Sequence, residues 1–200
     1  MITSVSEHQG EILRNIITLH LPETEDRFDL DPCYGNGSFY RGPWAIPEPR
    51  TKLDVEPRFL DVRQADVTSL DLPSAIVGSA IFDPPYLHAP GVDSVMGERF
   101  GGFKNQHALR VMYFAALVEL YRVLYAGGVL VVKCQDIIES GRFVPNGVYV
   151  VNMAVSLGFE QIDTFILTRK SAMEGHNHAD QKHGRRCHCY FHVFKKSKRR

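Results

Sequence analysis

Apolar residues recur along the chain in two periods that take turns, one helical and one strand-like. Ile12, Leu13, Ile16 and Ile17 share one helical face, and Ser6 with Gln9 three residues on has the form of a capping box. This spacing predicts a first helix of about three turns. Leu109, Met112, Tyr113, Ala116, Leu117, Leu120 and Leu124 keep a stricter helical spacing, with Gly127-Gly128 as the expected stop. A third helix is predicted from about Asn146 to Leu157, ending at Gly158. Between these lie the strand candidates: Arg27 to Leu30, Lys52 to Val55, Ala80 to Phe82, the continuous aliphatic run Val129 to Val132, Gln161 to Thr168 and His188 to Phe194. Alternating helix and strand is the pattern of an α/β domain on a mostly parallel sheet. The last two strands flank a basic loop, 170 to 186, and are expected to pair antiparallel as a long hairpin. Residues 87 to 106 are Gly-rich without a period and predict a long loop, the kind that usually carries function.

Length and composition narrow this to one core. Two hundred residues with 44% hydrophobic content suit a single domain, and there is no internal repeat. No apolar run reaches the roughly 20 residues of a membrane helix, and Met1 to Ser6 lacks the basic-then-apolar pattern of a signal peptide, so a soluble cytoplasmic protein is expected. Cys33, Cys134, Cys187 and Cys189 are few and unevenly spread, unlike a disulfide framework, and predict free thiols. The formal charge of zero hides an asymmetry. Residues 169 to 200 carry ten Lys and Arg against Glu174 and Asp180, a local +8, so the remainder carries −8. Such a block is either a footprint for a polyanion or a solvated, solubilising tail.

Two motifs bear chemistry. Asp31-Pro32-Cys33-Tyr34-Gly35-Asn36-Gly37 follows a predicted strand, where glycines let backbone approach a ligand beyond the carboxyl end of the sheet. Asp54, ending the next strand, is placed to accept from ribose hydroxyls. Asp66, ending a third segment, is a candidate acceptor for an adenine amino group, in competition with Asp61 and Asp71. The more specific signal is Asp83-Pro84-Pro85-Tyr86, straight after Ala80-Ile81-Phe82. A base amino group is a poor nucleophile because its lone pair is delocalised into the ring. A carboxylate and a carbonyl accepting its two hydrogens restore electron density on nitrogen, and Asp83 with the Pro84 carbonyl suits that task. Consecutive prolines fix φ and remove competing N–H donors. Tyr86 offers a face for stacking a base.

Together these motifs resemble the amino-methyltransferase group of class I S-adenosylmethionine-dependent enzymes, which includes DNA adenine-N6 and cytosine-N4 methyltransferases. Glu119-Leu120-Tyr121-Arg122-Val123-Leu124, Gly127-Gly128, Val132-Lys133-Cys134-Gln135-Asp136 and Cys189-Tyr190-Phe191-His192-Val193-Phe194 extend the similarity to small phage and bacterial DNA-methylase-like proteins. The resemblance implies a Rossmann-like, seven-stranded, mostly parallel sheet with an antiparallel C-terminal hairpin. It also implies S-adenosyl-L-methionine at Asp31, Pro32, Cys33, Gly35, Gly37, Asp54 and Asp66, and direct methyl transfer at Asp83, Pro84, Pro85 and Tyr86. The larger DNA enzymes carry a separate target-recognition domain, and no stretch here is long enough for one.

Within the family the chain resembles, aspartate at position 83 favours adenine N6 over cytosine N4, where Ser is common. An RNA guanine-N2 enzyme is the nearest rival, and a catalytically idle nucleic-acid-binding protein is the rival from another class. DNA, or RNA, is the expected partner, held by Lys182, Arg185, Arg186 and Arg99. His176, His178, His183, Cys187, His188, Cys189 and His192 form a further cluster, but their spacing matches no common zinc pattern, and no metal is expected. Lys133, Cys134, Gln135 and Asp136 fall near the active edge, and the sequence assigns them no role.

Overall fold

A computed structural model describes residues 1–86, 103, 105–169 and 182–198. Three helices stand among these residues: α1 (Gln9–His20), α2 (Gln106–Val123) and α3 (Asn146–Ser156). The strands of the main sheet are β1 (Val5–Ser6), β2 (Leu30–Asp31), β3 (Thr51–Asp54), β4 (Arg63–Gln64), β5 (Val77–Phe82), β6 (Leu124–Cys134), β9 (Phe159–Thr168) and β10 (His188–Lys196). Their order is β1-β9-β10-β6-β5-β2-β3-β4. Every pairing is parallel except those of β10, which runs antiparallel to both β9 and β6. The expected parallel sheet and terminal hairpin are therefore both present, with the two-residue β1 as an eighth strand at one edge. A separate hairpin, β7 (Ile137–Glu139) with β8 (Arg142–Val144), follows the end of β6.

Helices cover both faces, which is why the central strands read as continuous apolar runs rather than alternating ones. Ile81, Val129, Val131, Phe191 and Val193 pack with Ile12, Leu13 and Ile16 of α1. On the other face Phe82, Leu130, Val132, Cys134 and Phe194 pack with Leu109, Leu117 and Leu120 of α2 and Val150 and Ala154 of α3. Phe82, Phe191 and Phe194 are fully buried, and truncating such a ring to Ala typically costs about 3–5 kcal/mol.

Local chemistry at two helix ends differs from the sequence pattern. The first residue of α1 is Gln9 and its cap position is His8, so Ser6 lies too early for a capping box. The Ser6 hydroxyl instead donates to Glu11 Oε2 (2.6 Å) and accepts from the His8 N–H (3.0 Å). Helix α2 stops at Val123, and Leu124 is already strand, ahead of the glycine pair. Its last carbonyls are taken by other segments: Ala75 N–H donates to Arg122, Ile76 N–H to Val123, and Lys196 Nζ to both Tyr121 and Leu124. Gly127-Gly128 sits instead where the β5–β6 register shifts, with Gly127 at φ +89°. At the end of α3 the expected Gly158 does adopt φ +99°. All four cysteines are unpaired. Among the described residues no helix is long and apolar enough to cross a membrane.

Candidate active site

The carboxyl ends of β2, β3, β4 and β5 lie side by side, and each carries an aspartate: Asp31 and Asp54 end β2 and β3, Asp66 lies two residues beyond β4, and Asp83 follows β5 directly. Strand β2 is only two residues long and turns at once into the glycine loop. The buried Asp31 carboxylate closes that turn by accepting the Cys33 N–H (3.0 Å) and the Tyr40 hydroxyl (2.6 Å). Gly35 and Gly37 adopt φ +58° and +68°, a region that favours glycine. At Gly37 a side chain would also meet the Tyr34 ring at about 3.0 Å. Asp54 ties the loop to β3, accepting the N–H groups of Gly35 (2.7 Å) and Glu56 (2.9 Å). Pro32 is buried and Cys33 half-buried at the bottom of the turn. Asp66 is exposed and forms its own turn with the N–H and hydroxyl of Thr68, both at 2.8 Å.

Asp83-Pro84-Pro85-Tyr86 continues directly from β5, the neighbour of β2 in the sheet. Pro84 is buried, and the Pro85 carbonyl is held by the Tyr113 hydroxyl of α2 (2.9 Å). Asp83 Oδ1 accepts the Tyr86 hydroxyl at 2.5 Å, and Asp83 Oδ2 accepts Lys133 Nζ at 2.9 Å. The Tyr86 carbonyl receives a long bond from Asn146 Nδ2 (3.5 Å). Among the described residues no donor reaches the Pro84 carbonyl.

The charges of these groups act on one another. Burial holds the Cys33 thiol well above its ordinary range, and the charges of Asp31, Asp54, Asp83 and Asp66 add to that effect. Asp31 itself is pushed up to about 7, first by burial and further by Asp83 and Asp54, against the lowering effect of its two hydrogen bonds. Tyr40 and Tyr86 are both pushed up by burial and by the carboxylate each one faces.

Lys133 is the residue at this site to which the sequence pattern assigns no part. It is the only basic side chain within the run from Leu130 to Cys134, it is 7% exposed, and it shares the α1 face with Val129 and Val131. A lysine interrupting a buried central strand is itself the available signal, because such a charge is almost never buried unless paired.

The +8 block divides between the two ends of the sheet, because β10 runs opposite to its neighbours. Lys182, Arg185 and Arg186 precede β10, whose start lies beside the end of β6; there Gln135 Nε2 donates to the carbonyls of Arg186 (3.5 Å) and His188 (2.9 Å). Lys182 is exposed, and Arg186 lies over the Phe143 ring at 4.8 Å. Lys195, Lys196 and Lys198 belong to the far end, where Lys196 caps α2. Arg99, Lys170, His176 and His178, with nearly all of the 87–106 loop, lie outside the described residues. Cys187 and Cys189 do not share surroundings: Cys189 is buried in the core, and Cys187 is half-buried. Among the described residues no group of three or more His, Cys, Asp or Glu could hold a metal ion.

No protein-family model matches the chain, and no curated protein sequence does. Solved structures do match. TrmN from Thermus thermophilus aligns over 96% of this chain and 50% of its own at 13% identity, with a TM-score of 0.54. The PvuII DNA methyltransferase, cytosine-N4-specific, aligns over 68% of this chain and 48% of its own at 13% identity, with a TM-score of 0.51. A second Thermus thermophilus protein, provisionally named a DNA modification methylase, aligns over 75% and 56% at 18% identity, with a TM-score of 0.50. The chain has the Rossmann-like fold found in methyltransferases. It spans about half the length of these proteins.

Proposed function

We propose that this chain is an S-adenosyl-L-methionine-dependent methyltransferase acting on an exocyclic amino group of a nucleic-acid base, with adenine N6 in DNA as the first expectation. One observation carries the reading. The Asp83-Pro84-Pro85-Tyr86 turn stands at the end of β5, one strand away from a glycine loop whose backbone is pinned by Asp31 and Asp54. The likeness in fold to a DNA methyltransferase supports it.

The residues present fit the cofactor. Gly35 and Gly37 leave two positions of the loop without side chains, and the row of aspartates offers negative charge to a cationic ligand. When bound, S-adenosyl-L-methionine would supply a methyl group activated on a sulfonium. Asp31, Pro32, Cys33, Gly35 and Gly37 would shape its pocket, with Asp54 and Asp66 as acceptors toward its ribose and adenine. The rest is done by the turn after β5. Asp83 and the Pro84 carbonyl accept the two hydrogens of the target amino group and so return its lone pair to nitrogen. Pro84 and Pro85 fix the acceptors in place before the base arrives, which is the preorganisation that makes such bonds effective. Tyr86 supplies an aromatic face for the base, and Lys182, Arg185 and Arg186 bring positive charge to the same edge for phosphates.

The test is incubation of the protein with labelled cofactor and either DNA or RNA, followed by chromatography of the nucleosides. N6-methyladenine from DNA supports the first expectation. N4-methylcytosine or N2-methylguanine would keep the chemistry and change the base. No labelled nucleoside from either polymer would overturn the reading.

A further inference from the structure

The buried amine of Lys133 is enclosed more tightly than a solubilising charge would be. Its Nζ lies 5.0 Å from the Phe39 ring centre, 5.8 Å from that of Phe191 and 6.0 Å from that of Tyr86, and among the described residues its charged partner is Asp83 Oδ2. Three elements build this enclosure. Phe39 follows the glycine loop, Tyr86 follows β5, and Phe191 is set opposite Lys133 by the β6–β10 register. A desolvated ammonium against aromatic faces gains attraction from each ring, so the amine has little freedom to leave. Replacing it with an uncharged side chain would take this cationic partner from Asp83.

The two oxygens of Asp83 are consequently unequal. Oδ2 is bound to a caged cation on a central strand. Oδ1 is held by a phenol at the end of the Asp-Pro-Pro-Tyr turn. We infer that Lys133 is a positioning residue: it anchors Asp83 through Oδ2 and fixes the carboxylate plane, so that Oδ1 is the oxygen that meets the target amino group. This rests on the methyltransferase reading and deepens it. It also accounts for the residue type at position 133, since a branched aliphatic side chain would continue the β6 core but leave the Tyr86 hydroxyl as the one side-chain donor to Asp83 among the described residues. Misplacing a reacting acceptor by about an ångström costs on the order of 10²-fold in rate.

The experiment compares Lys133→Met, Lys133→Arg, Asp83→Ala and the Asp83→Ala/Lys133→Met double variant. Each is measured for methyl transfer to a nucleic acid that the wild type modifies and for cofactor affinity by calorimetry. Lys133→Met is expected to lower kcat by roughly 10- to 100-fold while leaving cofactor Kd within about threefold. Lys133→Arg, which keeps the charge with altered reach, should recover part of that loss. In the Asp83→Ala background the lysine has nothing left to orient, so adding Lys133→Met should lower the residual rate by less than about threefold. Circular dichroism establishes that each variant is folded. If Lys133→Met is not, Lys133→Gln takes its place with the same expectations. A wild-type kcat in the uncharged variant, or an equal loss from Lys133→Met with and without Asp83, overturns the inference while leaving the methyltransferase reading intact. A wild-type protein that transfers no methyl group to DNA or RNA overturns both.

Discussion

The two halves of the sheet solve the same folding problem with different means. On the motif-bearing side β2, β3, β4 and β5 are two to six residues long, whereas β6, β9 and β10 run for nine to eleven. Short strands make few ladder bonds, so carboxylates at their ends take up backbone donors instead. Asp29 accepts the N–H groups of Gly78 (2.8 Å) and Ser79 (3.1 Å), Asp31 that of Cys33, and Asp54 those of Gly35 and Glu56. The long strands carry fewer such bonds, Asp136 accepting the Gly147 N–H (2.9 Å) beyond β6 and Asp163 that of Thr164 (2.7 Å) within β9, and rely chiefly on their ladders and on Phe165, Phe191 and Phe194 in the core. Aspartates on the short-strand side therefore hold the fold and shape the site at once, while the hairpin reaches the site through few residues.

Asp83 is the exception on its own side, and that makes it the sharpest test of the contrast. Among the described residues its donors are side chains only, Tyr86 and Lys133, with no backbone N–H. Asp83→Ala should accordingly cost rate without unpinning the glycine loop. The expected loss is on the order of 10²- to 10³-fold in kcat, the usual effect of removing one preorganised charge at a reacting centre, with cofactor Kd by calorimetry within a few-fold. Asp54→Ala should show the reverse balance, because it frees the Gly35 N–H. Cofactor affinity should fall more than kcat. Near-normal turnover in Asp83→Ala would place the chemistry elsewhere.

The next largest effect is on stability, and its sign differs between the halves. Burial raises the Asp31 carboxyl from its ordinary 3.8 to about 7. Between those values the unfolded chain has released the proton and the folded one retains it. The folded state therefore binds more protons, and this group makes stability fall as pH rises from about 4 to about 7. Burial lowers His192 of β10 from 6.5 to about 4. There the unfolded chain binds the proton first, so this group's contribution is complete above about 6.5 and is lost as pH falls toward 4. Each shift is worth up to about 3–4 kcal/mol across its window. In urea titrations from pH 4.5 to 7.5, Asp31→Asn should gain stability relative to wild type as pH rises. His192→Gln should gain relative to wild type as pH falls. Parallel curves for variant and wild type would remove the group concerned from this account.

How much of this was legible in the sequence depended on whether the cause was local. The glycine loop and the Asp-Pro-Pro-Tyr turn could be read because their residues act on immediate neighbours, as the Asp31 to Cys33 bond shows. Strands β6, β9 and β10 were legible in their composition, and the antiparallel pairing of β9 with β10 in how closely both abut the basic loop between them. The resemblance to class I methyltransferases supplied the expected count of seven strands. The misreadings have distant causes. Helix α2 ends before Gly127 because Ala75, Ile76 and Lys196, remote in sequence, occupy its last carbonyls. Lys133 meets Asp83 across 50 positions, through strand pairing that no local pattern encodes. Hairpin β7–β8 and edge strand β1 are two or three residues per strand, too short to display a period.

The smallest expected effect separates two parts of one basic block. Read along the chain, residues 169 to 200 form a single +8 region. In the fold, β10 carries Lys195 and Lys196 to the edge opposite Asp83, while Arg185 and Arg186 stay beside the site. Nucleic acid gripped at the site should feel only the second group, since charges farther away than a Debye length, about 8 Å at physiological salt, are largely screened. Double charge reversal, Arg185→Glu with Arg186→Glu, should therefore raise the Kd for DNA by about tenfold at moderate salt. It should also lower the slope of log K against log salt by roughly two, the change expected when two phosphate contacts are lost. Lys195→Glu with Lys198→Glu alters net charge by the same amount and should shift Kd by less than about twofold, with the slope unchanged. Titrations of labelled duplex DNA at several salt concentrations measure both pairs. Equal shifts from the two would mean that net charge alone draws DNA to the protein, and the arginines beside the site would lose their assigned part.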